Sequence, residues 1–439
     1  MLKNSGIAIT GLGSISALGF SKEELWNSII KKNTGLSKYN YILDGEKWDS
    51  FWVHKIESFD IHNFGIENNV LKDIEKWKEG KQDRDLEYLL SVVKLSLDDS
   101  GLSYDRENNN IGLFITDEHP NFEPFCERII LETLAYLRNN LSTSKDFSKK
   151  KLLEHLYKKS VNDGYNLQAF MYLYLVAKVF GFHGFSLYNN NACASGLFAL
   201  ESAARQIKYG GSSVAVVAGG DYPVNIYKYL WFREQNLYAQ DGKIKPFAKD
   251  ANGIVFGDGA SAMVLEDLEH AKKRGAHIYA EYLGGGFHLE GWKVSIPNVT
   301  EDSYYLALNG ALLRSHVKPL EVDLVSPHGV GIKVTDAYEV KTINRMFGNK
   351  SKQPFISAFK PYVGHNLGGS AIIETIILLL CMQHNFIPPT LNSNDIDLNI
   401  NLVKEPVSTK IKVMMKMSCG FAGYNGVAVF KKRNSDDKI

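Results

Sequence analysis

Residues 188–211 read YNNNACASGLFALESAARQIKYGG. Leu197, Phe198, Leu200 and Ala203 recur at helical spacing behind Ser195-Gly196, and Gly210-Gly211 closes the segment as a helix C-cap does. An extended run precedes them, so the ledge of small residues Ala192-Cys193-Ala194 falls at a strand-to-helix turn. A thiol there meets unpaired backbone N–H groups and the positive end of a helix dipole, both of which favour the thiolate. Small neighbours leave room for a substrate. The same residues also suit a buried cysteine that packs as a small hydrophobe.

Outward from that turn, short apolar or β-branched runs alternate with amphipathic windows, which favours α/β layering. Strands are predicted at Gly6–Thr10, Ile111–Thr116, Val214–Ala218, Ala262–Leu265, Leu324–Pro327 and Val413–Ser418. Helices are predicted at Asp85–Ser100, Gly196–Tyr209, Ser303–Arg314, Thr335–Phe347 and Gly369–His384. Lysine-rich Leu137–Gly164 reads as a solvated helical cap or surface insertion.

The 439 residues are 44% hydrophobic and 12% aromatic, ample for a sizeable core. Fifty basic residues against forty-nine acidic leave a net charge of +1, so no global field favours nucleic acid or an anionic membrane. Four cysteines (Cys126, Cys193, Cys381, Cys419) without CxxC pairing argue against a zinc ribbon or a disulfide framework, and free thiols suit a cytoplasmic location. The N-terminal apolar run is broken by glycines, unlike a signal peptide. Apolar windows near Phe170–Phe182 and Ala371–Met382 are interrupted by Lys178 and Glu374 and read as too short for a bilayer. GLGSISALG misses the GxGxxG spacing, and GxxxxGK, HExxH and GxSxG are absent, so no dinucleotide, ATP or metal site is supported.

Two histidines fall in glycine-bearing stretches after extended runs: VSPHGVGIKVTD around His328 and KPYVGHNLGGSA around His365. Together with Cys193 they make a Cys-His-His constellation, to which Lys360 adds a cation. SCGFAGYNG (Ser418–Gly426) is a further glycine-rich turn able to offer N–H groups to an oxyanion.

Taken in order, IAITGLGSISALG, NACASG, the KPFAKDANGIVFGDGASAMVLEDLEHAKKRGAHIYAE run, HGVG, KPYVGHNLGG, IPPTLN and GFAGYNG resemble the β-ketoacyl-acyl carrier protein synthases, condensing enzymes of the thiolase fold. The resemblance implies an α/β thiolase fold, five layers (αβαβα) built from two similar halves. These would span 1–267 and 268–439, with a divergent cap at about 38–165 in the first. It implies that Cys193 takes an acyl group from a carrier-protein thioester, with the N–H groups of Cys193 and Phe421 as oxyanion hole. His328 and His365 would stabilise the enolate formed as malonyl thioester loses carbon dioxide. Lys360 would pair with Glu339 and order the site, and Phe421 would gate the acyl pocket. No metal or redox cofactor is required, the substrates being carried on the phosphopantetheine of acyl carrier protein. A dimer across the strand near Phe185–Asn189 is implied, either a homodimer or a heterodimer with a chain-length factor.

Departures from the family pattern are equally specific. HGTGT reads HGVGI, so Val330 and Ile332 replace two threonines that normally contact the pantetheine arm. KSMTGH reads KPYVGH, GEGA reads GDGA at Asp258, and GFGGTN reads GFAGYN, placing Ala422 and Tyr424 beside Gly423 in the acyl pocket region. DEHPNFEPF stands where a glycine-rich turn is usual. VGHNLGG is close to the VGHSLG of aromatic polyketide ketosynthases, which points to a specialised type II polyketide or fatty-acid-like pathway rather than housekeeping elongation. A chain-length-factor-like partner typically lacks the nucleophile. A degradative thiolase would use a second cysteine, for which Cys419 lies in the right loop; two histidines with Lys360 favour decarboxylation instead.

Overall fold

The computed structural model describes residues 6–78, 81–118, 122–141, 148–221, 226–395 and 399–433; residues 119–121 of the DEHPNFEPF segment lie outside them. Ten strands form the main sheet: β1 (Ile7–Ser16), β2 (Gly112–Thr116), β3 (Ser186–Asn189), β4 (Val214–Asp221), β5 (Gly259–Asp267), β6 (Ala280–Leu289), β7 (Leu324–Ser326), β8 (Phe355–Ile356), β9 (Val413–Gly420) and β10 (Tyr424–Lys431). Their spatial order is β8-β7-β9-β10-β6-β1-β5-β4-β2-β3. Read from each outer edge inward, the first five strands run 3-2-4-5-1 and the second five run 8-7-9-10-6, the same winding repeated. The two half-sheets are continuous through a short antiparallel pairing of Ile7–Ile9 with Ala280–Tyr282.

Side-chain alternation sorts these strands between layers. Ala215 and Val217 of β4 join the central core with Met414 of β9, whereas Val214, Val216 and Ala218 face an outer core with helix Arg84–Ser100. Val413, Met415 and Met417 of β9 face a second outer core with helix Ser303–Ser315. The central layer is the helix pair Ser195–Lys208 and Ser370–His384, each touching strands of both halves. Ser370–Met382 is buried on every face, as expected of a helix apolar all round. By composition Leu367–His384 is long enough to cross a bilayer, but 89% of it is buried inside the protein, where it forms the core.

The predicted strands and helices are present, most of them longer than their periodic runs. β1 extends through GLGSIS because its glycines serve packing rather than a phosphate. A Cβ at Gly11 would lie 2.2 Å from the Ser96 carbonyl, and one at Gly13 2.2 Å from the Val92 carbonyl. The described parts of the lysine-rich region belong to helices Phe122–Leu141 and Lys149–Asn166, which pack on each other, and its residues 142–147 lie outside the described residues. A hairpin, Leu36–Leu43 with Glu46–His54, was not read from the sequence. Its end is tied to the sheet where the Ile56 N–H donates to Asp258 (3.1 Å).

Two loops of the future site also meet through glycine. His365 N–H donates to Val255 O (2.8 Å), and a Cβ at Gly257 would stand 2.0 Å from Val363 O. Substituting Gly13→Ala is expected to destabilise the protein by about 1–3 kcal/mol through forced separation of helix and strand. A lowered thermal midpoint in differential scanning calorimetry checks this; an unchanged midpoint contradicts the close approach.

Candidate active site

Cys193 lies two residues before helix Ser195–Lys208, at the end of a turn that follows β3. The preceding Ala192 is held in the left-handed region (φ 50°), a strained setting for a residue with a Cβ. Ser195 locks the turn, its hydroxyl donating to Ala192 O (2.5 Å) and accepting from Asn191 N–H (2.6 Å). From the opposite half, the Ser418 hydroxyl donates to Cys193 O (3.0 Å). Gly420 comes so near that a Cβ there would lie 3.3 Å from the Cys193 nitrogen. The backbone N–H groups of Cys193 and Phe421 both bear on the sulfur.

The thiolate expected from the turn geometry is not the resting state. Burial pushes the Cys193 thiol up, and the Glu118 carboxylate adds to this; Lys360 and the two N–H groups only partly oppose them. The resting nucleophile is a neutral thiol.

His328 follows β7 in a turn with two left-handed glycines, Gly329 (φ 50°) and Gly331 (φ 75°). Glu339, one face of helix Lys333–Phe347, fastens this turn. Its carboxylate accepts from the His328 N–H (2.6 Å), the Gly329 N–H (2.9 Å) and the Tyr304 hydroxyl (2.9 Å). Glu339 is therefore spent on backbone amides, and the expected Lys360–Glu339 pair does not form. Lys360 approaches from the other side and pairs with Glu374 of the buried helix (2.6 Å), while also donating to His328 O (2.7 Å).

Each histidine tautomer follows from its neighbours. Lys360 Nζ, a donor only, stands 3.5 Å from His328 Nδ1, so that nitrogen carries the lone pair and Nε2 the proton. Leu367 N–H donates to His365 Nδ1 (3.1 Å), which Ser370 Oγ also contacts (2.8 Å), so His365 too is protonated on Nε2. The rings are 5.7 Å apart at 79°. Burial holds both well below the usual histidine range, and Lys360 and Lys416 push in the same direction. Two neutral N–H donors thus face one site.

Cys193, His328 and His365 line one cleft, with Val330, Ile332, Gly423 and Phe421. Phe421 stacks on Phe232 (centroids 5.4 Å apart, 20°) and meets the edge of Trp231. Ala422 is held at φ 59°, its N–H donating to Val294 O (2.6 Å). The Tyr424 ring meets Phe198 edge-on (6.0 Å), and neither Ala422 nor Tyr424 is among the cleft-lining residues. Cys419 lines the cleft but belongs to the outer core behind it, and burial raises its thiol strongly.

Sequence reasoning missed several residues here. Thr335 and the segment Val294–Pro297 also line the cleft. Glu374 was read only as an interruption of an apolar run, although a lone carboxylate on an otherwise apolar helix must find a cation once buried. Lys416, within VMMKMSCG, is wholly buried and donates to the second oxygen of Glu374 (2.6 Å). A thiol on the floor of a cleft, two N–H groups at its sulfur and two imidazole donors opposite can carry acyl transfer and hold an enolate oxygen.

The family model for the N-terminal domain of β-ketoacyl synthases matches residues 4–271, and that for the C-terminal domain residues 279–394. A 3-oxoacyl-[acyl-carrier-protein] synthase 2 of Vibrio harveyi is 28% identical over 440 residues, covering 97% of this chain and 98% of that protein. Among solved structures, the ishigamide ketosynthase/chain length factor shares the fold with a TM-score of 0.82 at 23% identity, covering 98% of this chain and 100% of that one. The AntDE:AntF complex, a type II PKS acyl-carrier protein with its ketosynthase bound to the hexaketide, does so with a TM-score of 0.77 at 22% identity, again over 98% and 100%. Since the N-terminal model alone spans more than half the sequence, and the cysteine and both histidines converge on one cleft, the chain belongs to the β-ketoacyl synthase family.

Proposed function

We propose that this ketosynthase moves an acyl group from a carrier-protein thioester onto Cys193 and condenses it with a malonyl thioester on acyl carrier protein. The observation that carries the reading is the convergence of one thiol and two imidazoles, each with a donor at its Nδ1, on a single cleft. In loading, the sulfur attacks the thioester carbonyl, whose oxygen is received by the N–H groups of Cys193 and Phe421. The carrier thiolate leaves and takes up the Cys193 proton. In condensation, the malonyl C–C bond breaks and carbon dioxide departs; the electron pair passes to an enolate whose oxygen accepts from His328 and His365. The enolate carbon then attacks the acyl-cysteine, expelling the Cys193 thiolate, which regains a proton from solvent.

Val330 and Ile332 line the cleft with two apolar side chains where hydroxyls are usual, and Ser295 and Thr335 are the hydroxyl-bearing residues of its lining. That change, with the cap helices Phe122–Leu141 and Lys149–Asn166, supports a specialised type II pathway over housekeeping elongation. A non-catalytic partner role is disfavoured by the intact trio. A homodimer is supported by β3, which ends the sheet with an unpaired edge, and by exposed Phe170, Tyr174 and Phe185 beside it.

Intact-protein mass spectrometry with a panel of acyl-carrier thioesters is expected to show one acyl group gained by the wild type and none by Cys193→Ala. His365→Ala should still load, yet lose carbon dioxide release by ~10²-fold. Absence of any adduct on the folded wild type would sink the reading. Because both imidazoles sit well below 6.5, carbon dioxide release from malonyl carrier should stay level from pH 8 down to pH 6.5. A histidine-like inflection within that interval contradicts the assigned protonation. Sedimentation velocity should give twice the chain mass, and Phe185→Asp should shift the protein toward the monomer.

A further inference from the structure

Lys416 takes no part in the steps above, yet its environment is one of the most unusual in the molecule. It lies on β9 facing the central layer, fully buried, with neighbours Met415 and Met417 turned to the outer core. Its ammonium donates to Glu374 (2.6 Å), to Pro327 O (2.7 Å) and to Ser326 Oγ (3.3 Å). Lys360 holds the other oxygen of Glu374 and the next carbonyl along, that of His328. One carboxylate thus carries two ammonium groups, and these grip consecutive carbonyls of the turn that presents the His328 ring.

We propose that Lys416 is a positioning residue for the condensation, a second fixed cation that, with Lys360, clamps the Pro327–His328 turn to Glu374 and places positive charge beneath both imidazoles. The inference rests on the proposed function only for its kinetic consequence. Fixed positive charge beneath the rings opposes their protonation, so each stays a neutral Nε2–H donor in acidic solution. The titratable groups bearing on His328 are Lys360, His365 and Lys416, with Glu339 accepting from its N–H; those on His365 are Lys360, Lys416 and Lys228. Lys416 itself is dragged down to about 8 by burial and by Lys360, against support from Glu374 and Glu339, so it remains protonated at neutral pH.

Removing the charge while keeping the volume isolates the role. Lys416→Met leaves Glu374 paired with Lys360, an arrangement a core tolerates. Lys416→Gln keeps a donor for Pro327 O without charge, and Lys416→Arg keeps the charge. Histidine ring NMR titration of the substrate-free protein reads the effect directly. The midpoints of His328 and His365 are expected to rise by about one pH unit or more in Lys416→Met and Lys416→Gln, and to stay low in Lys416→Arg. Carbon dioxide release from malonyl carrier should then decline toward acid at a higher pH in the two neutral variants than in the wild type, while acyl loading of Cys193 holds. Unmoved titration midpoints in folded neutral variants, even with a lowered thermal midpoint, overturn the proposal and leave Lys416 structural. A wild type that releases no carbon dioxide overturns the proposed function alone, because the titrations still decide the role of Lys416.

Discussion

The carboxylate of Glu374 is the interaction on which the site hangs. The helix that carries it is apolar all round and can only sit between the two half-sheets, so its one acid is taken out of water with it. An unpaired carboxylate there would cost several kcal/mol. The chain supplies a cation for each oxygen: Lys360, from the segment leading into His365, and Lys416, from the strand that runs up to the oxyanion loop. Both also donate to the turn bearing His328. Core packing, the two histidine turns and the Phe421 loop are thereby referred to one buried point. Their relative placement is inherited from the core rather than set loop by loop.

Much of this was legible in the chain, and the limits have physical causes. The turn at Cys193 could be read because small residues, helical periodicity and a double-glycine stop all agree within one short window. The strands Val214–Asp221 and Val413–Gly420 were legible in part, their apolar runs marking the middle but not the ends. β6 went unread because glycines interrupt it: a Cβ at Gly286 would lie 1.9 Å from the Ala307 carbonyl, so the helix fits against bare backbone. The pairing of Lys360 was assigned to the wrong acid for a related reason. Sequence spacing places Glu339 near His328, but only the fold shows that its oxygens are already filled by amides. Lys416 resembles an ordinary outward residue of an alternating strand, and nothing local tells that both faces of β9 are covered.

The departures from the family pattern surround the reacting groups and leave Cys193, His328 and His365 themselves unchanged. Cys193 and both histidines share one cleft, whereas positions 330 and 332 in its lining carry apolar side chains where hydroxyls are usual. Ala422 occupies the left-handed region that glycine adopts freely, and the structure offsets that strain with a short hydrogen bond to Val294 O. That bond ties the oxyanion loop to Val294–Pro297, which forms one wall of the cleft and exposes Val294 and Ile296. Changes in the lining alter what the cleft admits and leave the thiol and the two imidazoles in place.

The neutral resting thiol of Cys193 gives those features a common logic. A buried thiolate would occupy the N–H groups of Cys193 and Phe421 before any substrate came, and the incoming carbonyl would have to displace it from them. Burial and Glu118 oppose ionisation of the sulfur, so the two N–H groups that bear on it face a neutral thiol and can pass to the charge that develops on the thioester oxygen. Phe421 must be in register for this, and its stacking on Phe232 fixes the ring whose own amide completes the pair. The same rule governs the opposite wall, where neutral imidazoles hold their donors for the enolate. Both walls therefore oppose charge in the empty site and stabilise it where the reaction creates it.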